Sequence, residues 1–231
     1  MYSCDPARYW YIGLSGMHCV ERILEKVPRL QIKNVLDLPC GHGRVLRFLV
    51  ERFPNARVTA CDLDRNAVDF CARTFHVRPA YSAEDCRSLN LGEQFDLIWC
   101  GSLVTHLDSQ RIQDLLCFFG RHLSSDGVVV LTAHGDEAIK PLADNSGVDE
   151  HFPQMVREYR DSGFSYRNYP GLSNYGLSLT SSEWIRKEAS VAMLREVRFE
   201  DSPWWCSHDV FAFGHQSPTN GPFHTQSKTI V

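Results

Sequence analysis

Short apolar runs alternate with amphipathic segments along most of the chain. The apolar runs predict strands at residues 35–38, 58–62, 78–81, 95–100 and 127–133. The last of these contains Val128-Val129-Val130-Leu131, an almost continuous apolar run of the kind that is buried on both faces of a parallel sheet. Because strands and helical segments alternate, the pattern predicts a doubly wound α/β fold with helices on both faces of the sheet.

The helical segments carry start signals. Residues 45–53 are amphipathic and follow the first strand, Asp64 is placed to cap the helix after the second strand, and another helix follows Asp108. The segment Thr180-Ser181-Ser182-Glu183 is a capping box, which predicts a helix from there to about Val191.

The alternation breaks after the fifth strand. A connection of this length is too long to be structureless in a compact domain, so residues of about 136–180 are expected to be an insertion with structure of its own. Two late strands follow at about 194–200 and 209–213, and residues 216–231, with few apolar anchors, are expected to be a flexible tail. The pattern therefore predicts a single domain over residues 1–215.

Composition and charge narrow the class of protein. A chain of 231 residues that is 43% hydrophobic can bury one sizeable core. Its net charge of −4, and the lack of a basic patch with interleaved aromatics, argue against a nucleic acid or an anionic membrane as partner. No signal peptide or membrane-spanning run is recognisable, so a soluble, cytoplasmic protein is expected. The nine cysteines are scattered without C-x-x-C spacing, which favours buried reduced thiols and no metal site.

A glycine-containing turn, Asp37-Leu38-Pro39-Cys40-Gly41-His42-Gly43, joins the first strand to its helix. Glycines in such a turn let the backbone approach a ligand closely. Asp62 ends the second strand, at about the 20-residue distance where nucleotide-binding α/β folds place the carboxylate that binds a ribose. The two features together predict a site for an adenosine-containing cofactor.

The residue three positions after the second glycine discriminates between cofactors. A dinucleotide site needs a small residue there to leave room for the pyrophosphate, and this chain has Leu46. The turn instead resembles the first motif of the class I S-adenosylmethionine-dependent methyltransferases, acidic-x-Gly-x-Gly-x-Gly, with Pro39 where the family usually has its first glycine. The resemblance implies S-adenosyl-L-methionine as cofactor, bound by Asp37, Pro39, Gly41 and Gly43.

Two further motifs extend the resemblance in the family's order. It implies that Asp62 holds the ribose hydroxyls of the cofactor and that Leu63, beside it, is also a cofactor-binding residue. The segment Asp85-Cys86-Arg87-Ser88-Leu89 matches the family's third motif, which implies that Asp85 contacts the adenine amino group, with Glu84 as the alternative. Cys86 is expected to be a further cofactor-binding residue.

The fourth strand carries the family's habitual Phe95-Asp96-Leu97-Ile98 and leads to Cys100 and Ser102, which the resemblance places near the methionine portion of the cofactor. The family also implies a Rossmann-like sheet of seven mostly parallel strands whose last strand is antiparallel.

Candidate catalytic residues follow from the expected topology. Ligands of open α/β sheets bind beyond the carboxyl ends of the strands. Methyl transfer is an in-line displacement that depends on positioning, and a hydroxyl acceptor also benefits from a base, for which histidine titrates in the useful range. His106, past strand four, is the first candidate, and His134, past strand five, is the second. The alternatives are a wall residue for His106 and a backbone-bonded loop residue for His134.

Other aromatic and histidine positions have two interpretations. His208 and Asp209 are strand neighbours that point to opposite faces, so a solvated pair is expected rather than a catalytic dyad. The Tyr- and Phe-rich insertion either closes over the substrate or packs onto the domain, and the first is favoured because it follows strand five. For the N-terminal helix with Tyr9, Trp10 and Tyr11, ordinary packing is favoured over a cofactor cover.

These features predict a methyltransferase that acts on a small molecule, at a hydroxyl oxygen. The segment Cys100-Gly101-Ser102-Leu103 does not resemble the Asn/Asp-Pro-Pro-aromatic motif of amino-directed nucleic-acid methyltransferases. A nicotinamide-dependent oxidoreductase, disfavoured by Leu46, and a cofactor-binding protein without turnover are the alternatives. The acceptor and the oligomeric state stay open.

Overall fold

The computed structural model of the protein describes residues 5–28, 30–144, 151–205 and 207–215. The predicted tail at 216–231 lies outside the described residues. The strands are β1 (Asn34–Asp37), β2 (Arg57–Asp62), β3 (Arg78–Tyr81), β4 (Phe95–Cys100), β5 (Leu123–His134), β6 (Phe164–Asn168), β7 (Gly176–Thr180), β8 (Leu194–Trp204) and β9 (His208–His215). The helices are α1 (Pro6–Leu24), α2 (Leu46–Arg52), α3 (Arg65–Phe75), α4 (Ser109–His122), α5 (Asp136–Ala143), α6 (Phe152–Ser162) and α7 (Ser182–Val191), with a 3₁₀ turn at Val104–His106.

Seven of these strands form one mixed sheet in the order β3-β2-β1-β4-β5-β9-β8. Strands β1 to β5 pair in parallel, whereas β9 pairs antiparallel with β5 and with β8. This confirms the predicted doubly wound sheet with an antiparallel last strand. The strand order reverses between β1 and β4, which is the point where open α/β sheets bind their ligands.

Apolar layers cover both faces of the sheet. On one face, side chains of α1, α2 and α3, including Val20, Leu46 and Val68, form a continuous core with the strands. On the other face the core includes Ile112 of α4 and Ile185 of α7. Burial of the sheet between two helical layers accounts for the nearly continuous apolar runs of β4 and β5.

Two of the predicted helix starts are confirmed and one is displaced by a residue. The Asp64 side chain accepts from the Asn66 amide at 2.9 Å, and Asp108 accepts from the Arg111 amide at 2.9 Å. The capping box was expected to begin at Thr180, but Ser181 is the N-cap of α7 and accepts from the Trp184 amide. Thr180 still pairs with Phe164 as the last residue of β7, so the chain leaves the strand one residue later.

The segment between β5 and α7 contains α5, α6 and the β6–β7 hairpin. A small apolar cluster holds it together: Phe152, Met155, Tyr159, Leu177 and Leu179. The hairpin packs against the 3₁₀ turn and β5, which brings it to the carboxyl edge of the sheet.

The seven described cysteines are free thiols, and five of them are buried. Within the described ranges, no helix is both long enough and apolar enough to cross a bilayer. Over the same residues, no group of three or more His, Cys, Asp or Glu side chains could hold a metal ion.

Helix α1 crosses the chain before α2 at a glycine. A Cβ atom on Gly13 would lie 2.1 Å from the Arg44 carbonyl oxygen and 2.7 Å from the Phe48 ring. At Gly16, a turn later, the nearest atoms are side-chain atoms at 3.1 Å or more. The two glycines therefore differ in how much room their surroundings leave for a methyl group.

We expect Gly13→Ala to lower the free energy of unfolding by about 2 kcal/mol, because the cost of overpacking against backbone exceeds the helix-propensity gain of about 1 kcal/mol. Gly16→Ala is the matched control and should change stability by less than about 1 kcal/mol, since its side-chain neighbours can move slightly. Urea unfolding measures both. A Gly13→Ala protein as stable as wild type would contradict this close crossing.

Candidate active site

Two cavities adjoin at the carboxyl ends of β1, β2 and β4. One, the Leu63 cavity, has a volume of about 490 Å³, and the other, the Asp37 cavity, about 320 Å³. They share a wall of four residues: Pro39, Asp62, Ser102 and Tyr175. Because they adjoin at the point where the strand order reverses, they form one candidate site with two compartments.

The turn after β1 is fixed to the end of β2. The Gly41 amide donates to Asp62 Oδ2 at 2.8 Å, and the Cys40 amide donates to the Cys61 carbonyl oxygen at 2.9 Å. The other carboxylate oxygen of Asp62 accepts from the Asp64 amide at 3.0 Å. The turn and the Asp62 carboxylate therefore hold each other in one orientation.

The two glycines of this turn have different uses. Gly41 has φ +48°, and a Cβ there would meet nothing within 4 Å, because its backbone faces the Asp37 cavity. Gly43 has φ +77°, and a Cβ there would lie 2.5 Å from the Phe75 ring. Gly41 thus leaves backbone open to a ligand, whereas Gly43 lines neither cavity and packs the turn onto α3.

Asp37, the last residue of β1, is 1% exposed and lies in the wall of the Asp37 cavity. Neither carboxylate oxygen makes a hydrogen bond of regular geometry to a described residue. Burial raises the pKa of this carboxyl well above its usual range and the nearby Cys71 and Asp62 raise it further, whereas Arg44 and the backbone amide of Leu46 oppose them. A buried polar group without a partner in a cavity wall indicates that a ligand supplies the missing donor.

The Leu63 cavity is formed partly by residues far away in sequence. Leu63, Glu84 and Cys86 line it, together with Arg111 of α4 and Asn174 at the tip of the β6–β7 hairpin. Arg111 Nη1 donates to the Asn174 carbonyl oxygen at 3.0 Å, which ties the hairpin tip to α4.

Besides Gly43, two residues predicted for the cofactor, Asp85 and Cys100, line neither cavity. The Asp85 carboxylate accepts from the Arg87 amide at 2.8 Å in an exposed turn, and this bond lowers its pKa. Cys100 is fully buried in the sheet, which raises the pKa of its thiol well above the usual range. Ser102 lines both cavities, with φ +61° and its amide donating to Thr132 Oγ1 at 2.9 Å.

His106 lies in the wall of the Asp37 cavity. Its Nδ1 is 2.9 Å from the Gly176 carbonyl oxygen and 3.1 Å from Tyr169 Oη. Because a carbonyl oxygen can only accept, Nδ1 carries the proton. Burial lowers the pKa of the ring, so near pH 7 the ring is neutral and Nε2, with no hydrogen bond to a described residue, has its lone pair available.

Aromatic rings surround His106 and the rest of this compartment. The Tyr175 ring lies 4.8 Å from the His106 ring at 31°, measured between centroids. Tyr9, Trp99 and Trp204 complete the aromatic wall of the Asp37 cavity. Such walls favour a flat, largely apolar ligand.

His134 differs from His106 in its surroundings. It is 5% exposed at the end of β5 and lines neither cavity. Its Nδ1 is 3.3 Å from the Ser178 carbonyl oxygen, and its Nε2 is 3.1 Å from Nε2 of His208. This is the backbone-bonded arrangement that the sequence left as an alternative, and the role of His134 as a base stays a prediction.

The expectation that His208 and Asp209 form a solvated pair is wrong. Both are 4% exposed, because β9 lies between β5 and β8 in the sheet. They do point to opposite sides: His208 contacts Thr132, and Asp209 accepts from the Ser202 amide at 3.0 Å. Burial, with a further contribution from Asp201, raises the pKa of Asp209 to about 7.

Helix α1 packs on the domain and also reaches the site. Trp204 Nε1 donates to the Ile12 carbonyl oxygen at 3.2 Å, and Tyr9 Oη donates to the His42 carbonyl oxygen at 3.3 Å. Sequence reasoning missed Arg44, which also lines the Asp37 cavity, although it directly follows the glycine turn.

Comparison with known proteins supports the class that the motifs predicted. Residues 35–127 match a family described as a methyltransferase domain. A malonyl-[acyl-carrier protein] O-methyltransferase of Bacillus cytotoxicus is 23% identical over 126 residues, 54% of this chain and 44% of that protein. The chain thus spans less than half the length of this curated relative.

Solved structures share the fold over nearly the whole chain. A S-adenosylmethionine-dependent methyltransferase from Clostridium acetobutylicum has a TM-score of 0.61 at 16% identity and covers 93% of this chain and 94% of its own. The sugar N-methyltransferase KedS8 from Streptoalloteichus has a TM-score of 0.62 at 18% identity, with 88% and 87% coverage.

The match of residues 35–127 to a methyltransferase domain and the shared fold support the predicted class, the class I S-adenosylmethionine-dependent methyltransferases. The predicted fold class is therefore confirmed, and the comparisons support the predicted family and its cofactor, S-adenosyl-L-methionine.

Asp37 and Asp62 should respond to substitution with opposite signs in the cofactor-free protein. Asp37→Asn should raise the free energy of unfolding at pH 7 by about 1 kcal/mol or more, because it removes a buried charge that has no partner. Asp62→Ala should lower it by about 1–3 kcal/mol, because two backbone amides lose their acceptor. Chemical unfolding monitored by circular dichroism measures both.

The pH dependence gives a second check on Asp37. A carboxyl whose pKa is raised by folding binds its proton more tightly in the folded state, so its contribution to stability falls as pH rises above the unfolded value of about 4. The advantage of Asp37→Asn over wild type should therefore grow from about pH 4 upward. An advantage that is absent or shrinks with pH would contradict the unpartnered carboxylate.

Proposed function

We propose that this protein transfers a methyl group from S-adenosyl-L-methionine to a hydroxyl oxygen of a small molecule. The observation that carries the proposal is the pairing of two groups in one cavity. A buried carboxylate without a partner, Asp37, and a neutral imidazole with an available Nε2, His106, line the same compartment. The first fits a cationic part of the cofactor, and the second fits an acceptor that must lose a proton.

The residues present fit the cofactor. Asp37 supplies a carboxylate for the ammonium of the methionine portion, and the open backbone at Gly41 allows close approach. Asp62, held by two backbone amides, lies in the wall that both cavities share, where it can accept from ribose hydroxyls. We assign the adenine to the Leu63 cavity, with Glu84 in the role first expected for Asp85.

The remaining predicted positions complete this assignment. Pro39 and Ser102 belong to the wall that both cavities share, and Cys86 lines the adenine compartment. We retain them as cofactor-binding residues. Gly43 instead allows the turn to pack closely on α3, and Cys100 is buried in the core of the sheet.

His106 is proposed as the general base. When bound, the cofactor supplies an electrophilic methyl group on a positively charged sulfur. The Nε2 lone pair of His106 accepts the proton of the acceptor hydroxyl, while the proton on Nδ1 stays hydrogen-bonded to the Gly176 carbonyl oxygen. This bond fixes the ring and stabilises the imidazolium that forms.

The β6–β7 hairpin is proposed as a cap over the substrate. Its tip contributes Asn174 and Tyr175 to the cavities, and Tyr175 packs on His106. With Tyr9 and Trp204 opposite, the compartment fits a flat acceptor. We therefore propose one domain over residues 1–215 whose insertion, about 136–180, encloses the acceptor.

The proposal that the methyl group goes to an oxygen atom is supported by the presence of a base, His106, and not by the names of the relatives. Their names include an O-methyltransferase of malonyl-[acyl-carrier protein] and a sugar N-methyltransferase. An amine acceptor can lose its proton before it binds, whereas an alcohol gains most from a base at the site. A neutral histidine in the cavity wall therefore favours a hydroxyl acceptor.

Cofactor binding can be tested without knowing the acceptor. In isothermal titration calorimetry, S-adenosylhomocysteine should bind wild type, and Asp62→Ala should weaken binding at least tenfold through loss of the ribose contact. Asp64→Ala, which removes a neighbouring carboxylate that only caps α3, should bind as wild type does. Binding of NADH in place of S-adenosylhomocysteine would overturn the proposal.

The base is tested with His106→Asn, whose side-chain amide can still donate toward Gly176. Turnover with an accepted phenol should fall about 100-fold or more, and the affinity for S-adenosylhomocysteine should change little. Tritium transfer from labelled S-adenosylmethionine to a panel of phenols, amines and carboxylic acids identifies the acceptor. Methylation of amines alone would contradict the hydroxyl assignment.

The pH profile of the wild-type protein tests the same assignment. Because a base must be unprotonated and burial lowers the pKa of His106, turnover should stay constant above pH 7 and fall at acid pH with a midpoint below the ordinary value of about 6.5. A midpoint above that value, or an acid limb that survives in His106→Asn, would show that another group is the base.

A further inference from the structure

A chain of buried hydrogen bonds runs behind the two cavities, from the loop after β4 to the β6–β7 hairpin. The Ser102 amide donates to Thr132 Oγ1 at 2.9 Å, and Thr132 Oγ1 lies 3.2 Å from His208 Nδ1. His208 Nε2 lies 3.1 Å from His134 Nε2, and His134 Nδ1 lies 3.3 Å from the Ser178 carbonyl oxygen. Thr132, His208 and His134 line neither cavity, so they cannot reach a ligand directly.

The positions of the protons along this chain follow from its two ends. The Ser178 carbonyl oxygen can only accept, so His134 Nδ1 carries a proton. Burial lowers the pKa of His134 to about 3 and that of His208 well below its usual value, so both rings are neutral. His134 Nε2 must then accept from His208 Nε2, which leaves His208 Nδ1 to accept from the Thr132 hydroxyl.

With this arrangement of protons, each polar side-chain atom of Thr132, His208 and His134 has a hydrogen-bond partner. Thr132 Oγ1 accepts from the Ser102 amide while its hydroxyl proton goes to His208. With the opposite tautomer of either histidine, two lone pairs or two protons would face each other across the 3.1 Å gap between the rings. One arrangement of protons is therefore compatible with the observed geometry.

Both ends of this hydrogen-bonded series, at Ser102 and at Ser178, hold parts of the proposed active site. Ser102 has a left-handed backbone, which a non-glycine residue adopts only when its surroundings hold it there. At the other end, His134 and His106 donate to the carbonyl oxygens of Ser178 and Gly176. These carbonyls lie two residues apart on β7 and point in the same direction. Two imidazole rings are therefore hydrogen-bonded to the same edge of the hairpin.

We propose that Thr132, His208 and His134 are positioning residues that hold the Ser102 loop and the β6–β7 hairpin in register, with His106 between them. The proposal rests on the proposed function, because it assigns these residues to the same site. It also gives His134 a role different from that of a base: both of its ring nitrogens are already used, and accepting a substrate proton would break its bond to His208.

The proton arrangement can be measured directly in the cofactor-free protein. Long-range ¹H–¹⁵N spectra at pH 7 should show His134 protonated only at Nδ1 and His208 protonated only at Nε2. These spectra need neither turnover nor a substituted protein. The opposite tautomer of either ring, or a doubly protonated ring at pH 7, would overturn the proposal.

Substitution at Thr132 tests the end of the hydrogen-bonded series that holds Ser102 beside the proposed cofactor site. Thr132→Val keeps the shape but removes the hydroxyl, and it should weaken S-adenosylhomocysteine binding about tenfold, as loss of one buried hydrogen bond predicts. Thr132→Ser keeps the hydroxyl and should bind within about twofold of wild type. Equal affinities for the two variants would overturn the role assigned to Thr132.

Substitution at His134 separates positioning from catalysis. An Asn side chain can donate to the Ser178 carbonyl oxygen as Nδ1 does, but it cannot act as a base, so His134→Asn should keep kcat within about tenfold of wild type. His134→Leu, which cannot donate, should lower kcat about 100-fold or more. Circular dichroism confirms that each variant is folded. Equal loss of kcat in both folded variants would overturn positioning in favour of a base.

The outcomes distinguish this proposal from the proposed function. If wild type fails to bind S-adenosylhomocysteine while both tautomers are as expected, the cofactor assignment fails and the hydrogen-bonded chain stands. If wild type binds and turns over but either tautomer is reversed, the positioning chain alone fails.

Discussion

The hydrogen bond from the Gly41 amide to the Asp62 carboxylate, at 2.8 Å, is the interaction on which the rest of the site depends. It joins the turn after β1 to the end of β2, two strands whose parallel register places Asp37 opposite Ala60. Asp62 is thereby satisfied by backbone amides, while Asp37, close by, makes no hydrogen bond of regular geometry within the described part of the chain. The Asp62 carboxylate thus makes the turn rigid, whereas the Asp37 carboxylate is left unsatisfied in a cavity wall. The unsatisfied carboxylate lowers the stability of the protein, and a cationic ligand would offset that loss.

Local chemistry made much of the fold predictable. Asp64 and Asp108 cap the helices that follow them because a cap depends only on the next three residues. The apolar runs of β4 and β5 are buried on both faces, as their composition requires. The displaced start of α7 shows the limit of such signals, because pairing of Thr180 with β6 overrides its preference for a cap position.

The parts that could not be predicted depend on contacts between distant residues. Tyr175 and Arg111 meet in the wall of the Leu63 cavity only because the β6–β7 hairpin folds over α4, and no local pattern encodes that approach. The pairing of His134 with His208 across 74 positions is of the same kind. Cys100 is different: side chains alternate along a strand, so its direction into the core could have been inferred from the burial of Ile98.

We propose that one cleft, divided by Asp62, holds the adenosine end of the cofactor on one side and the reacting end beside His106 on the other. A crystal structure of the protein with S-adenosylhomocysteine tests this most directly. We expect the ribose hydroxyls on Asp62, the adenine in the Leu63 cavity and the sulfur in the compartment that His106 lines. A ligand bound elsewhere, or one whose sulfur lies away from His106, would contradict the account.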